Sequence, residues 1–143
     1  MRCFYTLLQL ILGTIPFCLS ERVCAQNLVP NGDFEFYTSC PNTSSQINLA
    51  YPWYQPTAGT PDYFNACANY SVSWLGVPNQ GFGFYQQAHS GNAYAGFIAG
   101  QNDNNSYREY IQIELSDSLI PNQCYFISFY VNLSNNVKYG INN

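Results

Sequence analysis

The chain has 143 residues, 8 acidic against 4 basic side chains, and a charged fraction of only 8%. Residues 1–25 read as a leader, and without them 143 − 25 = 118 residues remain, which suits one modest domain and is too short for two. That mature part holds Asp33, Glu35, Asp62, Asp103, Glu109, Glu114 and Asp117 against Arg108 and Lys138, a net charge of 2 − 7 = −5. Such a balance argues against nucleic acid and anionic membrane surfaces as partners.

The leader shows itself by Arg2, an apolar run from Cys3 to Leu19, and small residues around Val23-Cys24-Ala25. This is the pattern of a secretory signal peptide. Gln9, Gly13 and Pro16 interrupt the run, which falls short of the ~20 apolar residues a spanning helix needs. Cleavage before Gln26 is therefore expected to release a chain with no transmembrane span.

Three cysteines leave with the leader, and Cys40, Cys67 and Cys124 stay in an oxidising compartment. Cys40 and Cys67 are expected to pair across a tract rich in Pro, Ser, Asn and Gly, an entropic gain of roughly 3 kcal/mol. Cys124 begins an apolar run, which predicts a buried free thiol.

After residue 26 no sustained helical period appears, and Pro, Gly and Asn recur too often for long helices. The chain reads as all-β, with strands expected at 28–29, 34–37, 53–54, 93–99, 107–114 and 124–133. In the last, Tyr125, Ile127, Phe129 and Val131 alternate with Phe126, Ser128, Tyr130 and Asn132. Between them, 38–92 is a long aromatic-rich tract with little regular pattern, a length that usually signals function. Fewer strands are countable than the seven or eight of a sandwich, so the domain is expected to continue beyond Asn143.

Catalysis finds little support. Asp33 and Glu35 would project from one strand face about 6–7 Å apart, within reach of the roughly 6.5–9.5 Å of inverting glycosidases. Neighbours on one strand rarely flank a sugar, and Asp62 is the only further acid near in sequence. His89, beside Ser90, has no Gly-x-Ser-x-Gly elbow to serve and reads as a turn residue. One histidine and dispersed cysteines do not make a zinc site. The glycines at 76–83 lack the Lys and the helix of a phosphate loop.

The aromatic tract is more informative. Sugars stack their C–H faces on Trp and Tyr while amides and carboxylates bond the hydroxyls. Trp53, between Pro52 and Pro56, is expected in the core. Trp74, Tyr85 and Tyr54, with Asp62 and Gln86, form the candidate ligand-binding set.

The segments NLVPNGDFE, YTSCP, Pro52-Trp53, TPDYFNACA, VPNQGFGFYQ, HSGNAYAGFIA, YREYIQIEL and CYFISFYVNL follow one another through residues 27–143. In this order they resemble the N-terminal module of secreted and cell-surface proteins of Bacteroidota. That module often precedes an outer-membrane-protein-A-like domain or a type IX sorting tail. The NGDFE opening is also similar to the first strand of galactose-binding-like jelly rolls and carbohydrate-binding modules. The resemblance implies a jelly-roll β-sandwich, incomplete at its C-terminus, at the surface of or secreted from a Gram-negative bacterium. It implies a non-catalytic role, binding glycan or another cell-envelope ligand, or alternatively serving as a structural spacer with no ligand of its own. It also implies that Glu35 contributes to a structural calcium site.

Overall fold

The computed structural model describes residues 26–69, 73–80, 85–100 and 107–133. Residues 1–25, where a signal peptide is expected, 70–72, the glycine-rich 81–84, 101–106 and the residues after Leu133 lie outside them. Among the described residues the regular structure is β, with a single 3-10 turn at Ile47–Leu49 and no α-helix. Strand β1 (Asp62–Asn65) pairs antiparallel with β2 (Ala93–Gly96). Asp62 faces Gly96, Tyr63 faces Ala95, Phe64 faces Tyr94 and Asn65 faces Ala93. Isolated bridges add Tyr54 to Gln112 and Asn79 to Tyr85.

Successive side chains on a strand point to opposite faces, and β1 buries both. Tyr63, fully buried, packs with Ala50 and Ala93 and is flanked by Phe34, Leu49 and Trp53. Phe64, on the other face, packs with Ala68 and Leu75 and is flanked by Trp74, Val77 and Tyr94. The Phe64 and Tyr94 rings stack at 4.8 Å and 11°, the cross-strand aromatic pairing that stabilises small sheets. A Cβ on Gly96 would collide with the Phe64 ring, so glycine is what lets that ring lie over β2.

Asn65 ends β1. Its Oδ1 accepts Cys67 N–H at 2.8 Å, an Asx turn that diverts the chain. Its Nδ2 donates to the Tyr63 hydroxyl at 2.6 Å, and that hydroxyl donates to Phe34 carbonyl at 2.9 Å. These polar atoms are thereby satisfied inside the core. Burial pushes the Tyr63 hydroxyl up to about 12, against the bond from Asn65. The 3-10 turn docks on the strand entrance, where Ile47 N–H donates to Pro61 carbonyl at 3.3 Å.

The Cys40–Cys67 disulfide forms as expected, across 27 positions with a Cα–Cα distance of 5.6 Å. It joins the segment before the 3-10 turn to the turn after β1.

Several expected strands take another form. The 34–37 segment joins no described ladder: a turn at 30–33 leads into it, where Asn31 and Phe34 both have positive φ, at 48° and 62°, and Phe34 N–H closes onto Asn31 carbonyl at 3.1 Å. Asp33 and Glu35 therefore do not stand as neighbours on a strand face. The expected 93–99 strand begins at Ala93 and ends at Gly96. Of 53–54 and 107–114, only the Tyr54–Gln112 bridge pairs. Residues 124–133 join no described ladder, and Cys124 is free and exposed rather than buried. The reason is local: Phe126, Ile127, Phe129 and Val131 beside it are also exposed, so no packed face encloses the thiol.

Candidate functional site

Asn31 organises the first polar centre. Asn is among the residues that tolerate left-handed backbone, and its φ of 48° turns the side chain back over the following loop. Its Nδ2 donates to the carbonyls of Phe36 and Tyr51, each at 2.8 Å, and to that of Ala50 at 3.3 Å. Its Oδ1 accepts Phe36 N–H at 2.9 Å. Trp53 Nε1 in turn donates to Asn31 carbonyl at 2.8 Å, and its ring stacks on Phe34 at 5.0 Å. One amide thus fixes the backbone at both Phe36 and Tyr51.

The two rings so held stand outward. Phe36 is 62% and Tyr51 58% exposed, and they meet edge to face at 6.3 Å and 68°. They border an open hollow of about 580 Å³ lined by Pro30, Asn31, Asp33, Glu35, Phe36, Tyr51 and Pro52. Its wall is mainly apolar, and Asp33 and Glu35 are the two acidic residues of its lining. Glu35 Oε1 accepts Asn92 N–H at 2.5 Å, and Asp33 Oδ1 accepts Glu35 N–H at 3.3 Å. Gly91 has a φ of 64°, and a Cβ there would run into the Glu35 carboxylate. Residues 26–107 contain neither Lys nor Arg. These two negative charges are bonded by neutral amides, which leave the charge in place.

Glu109 organises the second centre and is buried. Its Oε1 accepts the Thr60 hydroxyl at 2.7 Å, Thr60 N–H at 3.0 Å and the Tyr107 hydroxyl at 3.0 Å. Its Oε2 accepts Ile98 N–H at 2.8 Å. Burial pushes this carboxyl up, but the bonds from Ile98, Thr60 and Tyr107 together outweigh it and hold it below the ordinary glutamate range. Glu109 is thus a structural clamp, joining the exit of β2 to the loop before β1. Asp62, at the start of β1, accepts Ser45 N–H at 2.7 Å. Burial raises its carboxyl, the Ser45 bond lowers it, and the Glu109 charge raises it again, for a net upward shift.

The five residues expected to bind ligand occupy different settings. Trp74 is half-buried, edge-on to Phe64 at 5.6 Å within the second core cluster. Tyr85 is 47% exposed, its hydroxyl accepting from Gln87 Nε2 at 2.8 Å. Tyr54 bridges Gln112, and Asp62 caps Ser45. Gln86 Oε1 accepts from Asn132 Nδ2 at 3.0 Å. None of the five lines the Phe36–Tyr51 hollow. Neither do they line a second hollow of about 440 Å³, formed by the single segment Glu114–Leu119. Trp53 is half-buried against the first core cluster. His89 stacks on Tyr130 at 3.5 Å.

Sequence reasoning missed Phe36 and Tyr51. The strand expected at 34–37 would set Phe34 and Phe36 on one face, whereas Phe34 packs inward and Phe36 faces solvent. Asn31-Gly32 is the signal that could have found this, since that dipeptide favours a turn over a strand.

For calcium, Glu35 has amide donors as its described partners, and no group of three or more His, Cys, Asp or Glu side chains gathers among the described residues. Among those residues no helix is long and apolar enough to cross a membrane. No protein-family model matches the chain, and no curated protein or solved structure is significantly similar to it.

Proposed function

We propose that the chain is a non-catalytic binding module of jelly-roll type, secreted or displayed at a cell surface, whose ligand is a glycan or another cell-envelope component. The observation that carries the reading is the pair of aromatic rings held in solvent over an open hollow. Leaving two large apolar rings wet forgoes roughly 1.5–3 kcal/mol each of burial free energy. The Asn31 amide keeps them there by bonding both backbones. Rigid aromatic faces flanked by polar groups are what sugar rings stack upon, and prior fixing lowers the entropy cost of binding. The neutral, amide-rich composition and the signal-peptide pattern agree with an extracellular setting.

A glycan array probed with the folded chain tests this, with Phe36→Ala and Tyr51→Ala as losses and Tyr85→Ala as a probe of the alternative face. Binding that survives both hollow variants but fails with Tyr85→Ala would move the site to the second set of aromatics. A folded chain that binds no glycan on the array would sink the lectin reading.

The structural-spacer reading draws on a different observation. Glu35 and Glu109 both spend oxygens on backbone N–H groups, as architectural carboxylates do. The calcium implied for Glu35 has the least support, because that ion would compete with Asn92 N–H for Oε1. A melting temperature that rises with calcium and falls with EDTA, both effects lost in Glu35→Gln, is the result that would establish it.

A further inference from the structure

Resting on the glycan reading above, we infer that the Phe36–Tyr51 hollow selects a sugar bearing a protonated primary amine, a de-N-acetylated hexosamine, over its N-acetylated counterpart. Charge complementarity within an apolar hollow would set this selectivity. Phe36 and Tyr51 present ring faces and edges to solvent, and Asp33 and Glu35 stand in the same lining. An ammonium group within about 6 Å of a ring face is attracted by its quadrupole, and a carboxylate beside it adds a charge-assisted hydrogen bond. Arg108 is the only Lys or Arg among the described residues, and the described partners of Asp33 and Glu35 are neutral amides.

A neutral sugar would gain the stacking and donate hydroxyls to the carboxylates, but it would bring no positive charge to pair with them. An N-acetyl group would remove the positive charge and add bulk where the carboxylates stand. A sugar with a free amine meets both halves of the lining at once: its ring covers the aromatics and its ammonium faces the acids.

The geometry also supplies clean variants. Asp33 and Glu35 each use a δ1 or ε1 oxygen to accept a backbone N–H, and Asn or Gln keeps that oxygen. Asp33→Asn and Glu35→Gln therefore remove charge while keeping these backbone bonds, Gln giving up only the long bond from Asn92 Nδ2 to Oε2 at 3.5 Å; a melting temperature close to the parent's would verify that the turn is retained.

The experiment is calorimetric titration of the folded chain with a glucosamine hexamer and with the N-acetylglucosamine hexamer of equal length. It is run near pH 5.5, where the sugar amine is protonated. A lysine-containing tripeptide is the third arm. The expected result is about tenfold tighter binding of the glucosamine hexamer than of the other two. That preference should disappear in the Asp33→Asn/Glu35→Gln double variant, and binding should weaken in Tyr51→Ala.

Equal binding of the two hexamers would overturn the amine inference and leave the glycan reading intact. So would binding to other glycans on the array with none to the glucosamine hexamer. Binding of the tripeptide as tight as that of the hexamer would overturn the sugar part of the inference. Absence of binding in every arm, together with a blank array, would overturn both proposals.

Discussion

From Asn31 to Glu109 the chain encloses Tyr63, Ile47 and Leu75 completely and turns its polar side chains onto its own backbone. From Leu119 to Leu133 it leaves Phe126 at 92% and Ile127 at 81% exposure and meets the first region through contacts such as Asn132 Nδ2 donating to Gln86 Oε1 at 3.0 Å and Tyr130 stacking on His89. Both regions are rich in aromatic and branched side chains, so composition does not separate them. The difference lies in whether apolar side chains meet a second layer. In the first region a buried strand gives them two faces to cover; in the second, no described strand does.

The comparison breaks most readily at Tyr63. Tyr63→Ala opens a cavity in the first cluster and orphans Asn65 and Phe34 carbonyl, so it should cost about 3–5 kcal/mol in denaturant unfolding. A loss under about 1 kcal/mol would mean that the core is not where the structure puts it.

Glu109→Gln is next, at about 2–3 kcal/mol for weakened charge-assisted bonds. The sign with pH follows from the depressed carboxyl. Its stabilising contribution is present above the unfolded value near 4.5 and is lost as pH falls through the lower folded value. Melting curves of the parent and of Glu109→Gln should therefore converge on acidification, and a gap that widens toward low pH would contradict the clamp.

Asp62 runs the other way. Its folded value is raised, so ionised Asp62 weakens the fold above that value and the penalty is relieved as pH falls through it. Asp62→Asn keeps the acceptor for Ser45 and should stabilise at neutral pH by up to about 1 kcal/mol, read as a higher melting temperature.

The smallest effect sharpens the contrast. Phe126→Ser should stay within about 0.5 kcal/mol of the parent, as exposed substitutions do. A cost beyond about 1 kcal/mol would show that this side chain is covered in solution.

How much of this was legible follows from local chemistry. The Cys40–Cys67 pair could be read because the remaining cysteine sat apart in an apolar run. Ala93 as the start of a strand was legible after the turn expected at His89, but the Phe64 ring over Gly96 is a tertiary fact with no local mark. Strand β1 was hidden because both its faces are buried and one buried side chain is Asn65, so no polar–apolar alternation remained to be seen. The alternation at 34–37 misled for the opposite reason: the left-handed residues Asn31 and Phe34 outweighed it. Trp74 and Tyr85 were recognisable as large aromatics, but which of them a core would claim depended on Phe64, whose strand was unseen.

Because β1 carries one ring into each cluster, the two halves of the interior share a single backbone segment. Neither half can open without releasing the hydrogen bonds that the other half needs. Melting should therefore be concerted, and the β1 amides should exchange with solvent only at the rate of global opening. Four residues in the middle of the chain would then act as the keystone of its cooperativity.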